Sequence, residues 1–157
     1  MKKVLFLIVV ILLVSSTVAF AAQPREGIRA GLVTGLPFHI GAMGEYNFGP
    51  ASVNLSLGYL SYFGFADFFN LRIGGDYNFP TPFVQSDWGL DLYLSVGGHF
   101  DLFFGGGSVG FALGFPVTWA WYVDDLPLKV FVKAGPEIDV TGGPLTFFGS
   151  AGALYQF

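Results

Sequence analysis

Apolar and polar residues alternate along most of the chain, and stretches rich in Gly and Pro separate the alternating segments. In residues 88–104 one row holds Leu90, Leu92, Leu94, Val96, Phe100 and Leu102, and the other holds Asp91, Tyr93, Ser95, Gly97, His99 and Asp101. Successive side chains of a strand point to opposite faces, so each segment predicts a strand with one apolar and one polar face. We expect eight strands, at residues 27–35, 39–48, 51–62, 68–79, 88–104, 108–122, 128–140 and 145–157.

The first residues predict a cleaved signal peptide. Lys2 and Lys3 precede an apolar stretch at residues 4–14, and Ala19 and Ala21 form a small-residue cleavage pattern. We expect the signal to cover residues 1–21 and a single domain to cover residues 22–157. The chain contains no Cys, so disulfides, thiolate metal sites and a lipid anchor on Cys are excluded.

The composition argues against a surface that faces water and against nucleic acid as a partner. Charged residues make up 11% of the chain, against about 25% in an ordinary soluble domain. Loss of Lys2 and Lys3 leaves five of the seven basic side chains against 11 acidic ones. This balance argues against nucleic acid as a partner.

The fold class follows from how a chain satisfies its backbone in lipid. After the signal, Gly or polar residues interrupt every apolar run, so transmembrane helices are not expected. A closed β-barrel is the other structure in which the backbone N–H and C=O groups all find hydrogen-bond partners within the membrane. We therefore predict an all-β, eight-stranded antiparallel up-and-down transmembrane barrel in a bacterial outer membrane, with residues 145–157 as the closing strand.

This barrel would place polar rows in the lumen and aromatic residues near one membrane interface. The predicted lumen network is Arg29, Glu45, Arg72, Asp76, Asp91, His99, Asp101, Lys129, Lys133 and Glu137, with Asp139 on the same face. The predicted aromatic girdle is Tyr46, Phe48, Tyr77, Phe79, Trp119, Trp121, Tyr155 and Phe157. Since eight strands leave room only for their own side chains, we expect these charges to pair and to fill the lumen.

With the cleavage pattern, the eight alternating segments and the terminal Tyr155 and Phe157, the chain resembles small eight-stranded outer-membrane barrels of the OmpA-domain or OmpX kind. The resemblance covers the architecture of residues 22–157. It implies insertion by the barrel-assembly machinery, which in that class recognises a C-terminal aromatic signal such as Tyr155 and Phe157. The predicted loops are shorter than those of adhesin-like members, and, unlike OmpA, the chain is expected to lack a soluble periplasmic domain.

Few residues suggest chemistry. His99 and Asp101 share a face and could serve acid-base catalysis, but the His-x-Ser spacing of lipid A deacylases is absent, and nothing places Ser95 or Ser108 near His99. His39, beside a predicted loop, is expected at the rim in contact with water or headgroups. Two His 60 residues apart give no metal signature. Residues 105–107 are all Gly and predict a tight hairpin with positive φ.

We expect a structural or envelope-integrity role with a side-chain-plugged lumen, no enzymatic activity and no cofactor. The expected partners are outer-membrane lipids and the assembly machinery, and the expected state is a monomer. Four alternatives remain: an adhesive or ligand-binding barrel that uses the loop at residues 63–67, a narrow pore, a lipid-modifying enzyme and a soluble lipocalin-like barrel.

Overall fold

The computed structural model describes residues 26–36, 39–62, 66–85, 87, 90–123 and 126–157. The predicted signal peptide, Trp88 and residues 63–65 of the predicted adhesive loop lie outside the described residues. In the described part of the chain, no helix is long and apolar enough to cross a membrane.

Strands make up nearly all of the described chain. They are β1 (Gly27–Leu36), β2 (His39–Asn47), β3 (Ala51–Tyr62), β4 (Ala66–Asn78), β5 (Leu90–Gly105), β6 (Ser108–Gly114), β7 (Val117–Val123), β8 (Leu128–Asp139) and β9 (Leu145–Gln156). Each predicted boundary lies within two residues of the observed one.

The strands close into an antiparallel barrel. Neighbours in sequence pair with each other, except that β6 and β7 both pair with β5 on one side and β8 on the other. β1 also pairs with β9, from Arg29 opposite Gln156 to Leu36 opposite Gly149. This closing pair leaves no free sheet edge, and the predicted fold class is confirmed.

The predicted sixth strand, residues 108–122, is divided in two at Phe115 and Pro116. Pro116 has no N–H to donate, so the ladder is interrupted there. Its carbonyl still accepts from Gly97 N at 3.0 Å, and Phe115 N donates to Pro136 O at 3.0 Å. Because β6 and β7 pair with β5 in one continuous register, together they form one of the eight barrel strands.

The two rows of each strand face opposite environments, as predicted. Apolar side chains cover the exterior, where Leu32 is 70% exposed and Ile73 is 54% exposed. Phe111 and Leu113 are also exposed, whereas Lys133 is buried inside the barrel. Such an exterior is matched to acyl chains rather than to water.

The hairpin between β5 and β6 has the predicted geometry. Gly105 pairs with Ser108, so Gly106 and Gly107 alone form the loop. Their φ angles are +57° and +78°. Two positive φ values are the requirement of a type I′ turn, which glycine meets without strain.

Candidate functional site

The inward row of β8 passes through the lumen from the end where β1 begins and β9 ends to the opposite end. It presents Lys129, Phe131, Lys133 and then Glu137. Each of these side chains belongs to a different group of contacts. The side chains of the lumen therefore form four layers, numbered from Lys129 to Glu137 along β8.

The first layer is a three-residue ion cluster. The carboxylate of Glu45 accepts from Arg29 Nη1 at 2.8 Å and from Lys129 Nζ at 2.6 Å. Arg29 Nη2 also donates to Gln156 Oε1 at 3.2 Å, and its guanidinium lies 5.2 Å from the ring centre of Tyr122. Arg29 is 1% exposed and Glu45 is 3% exposed. Such buried charges are tolerated only when they are paired.

The second layer is apolar. Phe131 and Leu154 are fully buried and pack with the other members of the cluster, which are Val33, Met43 and Ala120. Tyr122 packs against this cluster and also faces the cations of the first layer. An apolar layer therefore separates the ion cluster of the first layer from the polar side chains that follow along β8.

The third layer is one ion pair with an amide. Lys133 Nζ donates to Asp76 Oδ2 at 2.9 Å, and Asn54 Nδ2 donates to the same oxygen at 2.8 Å. All three side chains are buried. These contacts connect β8, β4 and β3 across the lumen.

The fourth layer combines one guanidinium, two carboxylates and an imidazole. Arg72 binds Asp101 through two hydrogen bonds, of 2.7 and 2.6 Å, and its Nη2 lies 3.5 Å from Glu137. His99 Nε2 lies 3.3 Å from Glu137 and 3.5 Å from Asp101. The Phe148 ring covers this layer, 4.9 Å from the Arg72 guanidinium carbon and 4.6 Å from the His99 ring centre.

His99, Asp101 and Glu137 could in principle hold a metal ion. One ligand atom from each lies within 4.8 Å of the others. The Arg72 guanidinium already contacts both carboxylates, so the chain supplies the positive charge at this position. The sequence did not predict this convergence, because it depends on the registers of β5 and β8 with β6, which lies between them.

Two glycines make room for the two histidines. A Cβ on Gly114 would lie 2.1 Å from His99 Nε2, and a Cβ on Gly58 would lie 1.8 Å from His39 Nε2. Each imidazole therefore occupies the space that a side chain on the glycine of the neighbouring strand would fill. His39 is the first residue of β2, at the end of the strand, but it is only 5% exposed. The predicted contact with water or headgroups was therefore wrong. The glycine gap explains the difference.

A cavity of about 720 Å³ lies above the fourth layer, at the end of the barrel opposite the start of β1 and the end of β9. Its wall includes Phe68, Asn70, Arg72, Phe103, Glu137 and Phe148. The expectation that the barrel's own side chains fill the lumen does not hold here. Ser108, Gly110 and Ser150 line the same cavity, and such small side chains leave the space open.

The remaining predicted residues occupy separate positions. Asp91 is half-buried beside Tyr122 on β7. Asp139, at the end of β8, accepts from the backbone N–H and the hydroxyl of Thr141. Ser95 donates to Asn78 Oδ1 at 2.8 Å and Ser108 donates to Gly105 O at 3.1 Å, so both serine hydroxyls bind groups other than His99.

The predicted girdle residues lie toward the end of the barrel where β1 begins and β9 ends. Three pairs of rings are in contact, with centre separations of 6.0 Å for Tyr46 and Phe48, 5.5 Å for Tyr77 and Phe79, and 5.3 Å for Tyr155 and Phe157. Trp119 and Trp121 are half-exposed on β7.

Comparisons with known proteins support the fold. Neither a family model nor a curated protein matches the sequence. Among solved structures, the N-terminal β-barrel domain of Pseudomonas aeruginosa OprF is similar, with a TM-score of 0.60 at 14% identity over 86% of this chain and 100% of that one. Neisserial surface protein A has a TM-score of 0.50 at 14% identity over 83% of this chain and 94% of that one. The chain has the fold of small outer-membrane β-barrels.

Proposed function

We propose that the protein is an integral barrel of a bacterial outer membrane, that its lumen is closed to ions, and that its role is structural, in envelope integrity. The observation that carries this proposal is the pair of adjacent layers made by Arg29, Glu45 and Lys129 and by Phe131 and Leu154. Their residues are between 0% and 5% exposed, so almost none of their surface is accessible to water. An ion would have to separate a buried ion pair and then pass an apolar layer.

Location in the outer membrane is supported by the exposed apolar exterior and by the resemblance to OprF and Neisserial surface protein A. Cell fractionation tests it, together with the slower gel mobility that a folded barrel acquires on heating. Recovery of the protein in the soluble periplasmic fraction without detergent would contradict the proposal and favour a soluble barrel.

Planar-bilayer recording of the purified protein tests closure of the lumen. We expect no steady channels at any applied voltage. The double variant Phe131→Ala, Leu154→Ala removes the apolar layer and is expected to increase conductance. Steady channels from the unmodified protein would show that the lumen is a pore.

Deletion of the gene tests the structural role. We expect increased sensitivity to bile salts and to large antibiotics, restored by a plasmid copy. Unchanged sensitivity would contradict a role in envelope integrity, while leaving the closed barrel intact.

The proposed partners are outer-membrane lipids and the barrel-assembly machinery, with the protein as a monomer. Tyr155 and Phe157 lie on the exterior of the closing region, 52% and 79% exposed, so an assembly factor could contact them. Phe157→Ala should reduce the amount of heat-modifiable barrel in cells. Equal assembly of variant and unmodified protein would exclude Phe157 from recognition, and cross-linking in membranes tests the monomer.

A further inference from the structure

We propose that the cavity above the fourth layer is a binding site for a small organic cation that joins an apolar body to an amine. The site lies in the outer part of the lumen and does not depend on whether the inner layers conduct ions. Cavity volume, wall chemistry and charge each support this assignment.

The volume and the apolar wall set the kind of body that fits. About 720 Å³ falls within the range of small-molecule sites, roughly 300 to 1,000 Å³. Phe68, Phe103 and Phe148 belong to the inward rows of β4, β5 and β9 and line the cavity. Aromatic faces bury apolar groups and also attract cations.

The charge at the base of the cavity sets the sign of the ligand. Arg72 is the cation of this layer and faces two carboxylates. It binds Asp101 at 2.6 Å and 2.7 Å but reaches Glu137 only at 3.5 Å. The Glu137 side chain is 14% exposed, whereas that of Asp101 is 0% exposed. Glu137 is therefore the less neutralised and more accessible carboxylate.

An independent observation comes from Asn70, which is 1% exposed and belongs to the same inward row of β4 as Arg72. Neither Oδ1 nor Nδ2 of Asn70 has a hydrogen-bond partner among the described residues. Buried amides almost always find partners, because leaving one unpaired costs free energy. Asn70 belongs to the cavity wall, although both amide atoms are covered. A rotation of this amide toward the cavity would let Oδ1 accept a hydrogen bond from an amine bound at Glu137.

Binding can be measured with three probes that share one body: phenylbutylamine, phenylbutanol and phenylbutyrate. The full mature chain is placed in phosphatidylcholine nanodiscs, and calorimetric titrations are corrected with empty nanodiscs. We expect the amine to bind about tenfold more tightly than the alcohol, with the carboxylate weakest. Equal binding of amine and alcohol, tighter binding of the carboxylate, or no binding of the amine would overturn the proposal.

Two acids at opposite ends of the barrel provide the matched variants. Glu137→Gln should reduce the amine's affinity to that of the alcohol, whereas Glu26→Gln, which alters an exposed acid outside the cavity wall, should leave it unchanged. Equal effects of the two variants would overturn the location. If Glu137→Gln fails to give a heat-modifiable barrel, Asn70→Leu serves instead: it should weaken amine binding about fivefold, and unchanged affinity would contradict the site.

Discussion

Lys129 Nζ lies 2.6 Å from Glu45 Oε2, although 84 residues separate the two in sequence. They meet inside the barrel because β1 pairs with both β2 and β9, and β9 pairs with β8. Arg29 binds the other oxygen of the same carboxylate. One acid thus neutralises part of the charge of two buried bases, and closure of the barrel brings all three together.

Replacing that acid should be costly. Glu45→Gln leaves Arg29 and Lys129 buried without their counter-charge, and we expect a loss of about 3 kcal/mol or more in the free energy of unfolding. Urea titration in lipid vesicles, followed by tryptophan fluorescence, measures it. Glu26→Gln is the control, because Glu26 is exposed and its side chain should contribute little. Equal stabilities would show that the ion cluster does not support the barrel.

The glycine beneath His99 should not accept a side chain. A Cβ on Gly114 would lie 2.1 Å from His99 Nε2, so Gly114→Ala must displace the ring from Glu137. We expect about 1 to 3 kcal/mol of destabilisation, relieved in the double variant Gly114→Ala, His99→Ala. Gly149→Ala is the matched control, since nothing lies within 4 Å of its added Cβ. If both glycine variants unfold at the same urea concentration, the predicted packing is wrong.

The hairpin between β5 and β6 should discriminate between side chains. Gly106 has a φ of +57°, a conformation that Asn tolerates and β-branched residues do not. Gly106→Asn should leave the free energy of unfolding nearly unchanged, whereas Gly106→Val should lower it by about 1 to 3 kcal/mol. Both variants face open space, so steric contact does not confuse the comparison. Similar stability of the two would argue against the type I′ turn.

A charged side chain on the exterior should destabilise the barrel in lipid. Leu32 is 70% exposed in the middle of β1, and Leu32→Arg should destabilise the barrel in vesicles by about 2 to 4 kcal/mol if this position is near the bilayer centre. Thr141→Arg, in an exposed turn, should have little effect. A Leu32→Arg variant as stable as the unmodified chain would indicate that water, not lipid, surrounds β1.

The strands and their facing could be predicted from sequence because both depend on a period of two residues. The alternation of Leu92 and Leu94 with Asp91 and Tyr93 is local, so it can be recognised without knowing the neighbouring strands. Gly106 and Gly107 similarly predict their own turn. The break between β6 and β7 also has a local signal, because Pro116 has no N–H to donate to the neighbouring strand.

The contacts of the lumen could not be predicted, because they depend on register and on closure between strands far apart in sequence. Nothing local indicates that Arg72 binds Asp101, that Lys133 binds Asp76, or that Gly58 accommodates His39. The cavity was missed for the same reason. The sequence did contain one indication of the cavity, which is the small residues on the inward rows near the hairpins, such as Ser108 and Gly110. Where several strands carry small residues at the same end of a barrel, an open space is expected there.

The central claim is that the outward rows of the strands contact acyl chains, and quenching by spin-labelled lipids tests it directly on β1, β3 and β4. The chain has no Cys, so single cysteines at Leu32, Leu57 and Ile73, all exposed, can carry a bimane label in vesicles containing lipids spin-labelled on the acyl chain. Thr141→Cys in the turn is the control. We expect strong quenching at the three strand positions and weak quenching at Thr141. Quenching no stronger on the strands than at Thr141 would contradict contact between the outward rows and lipid.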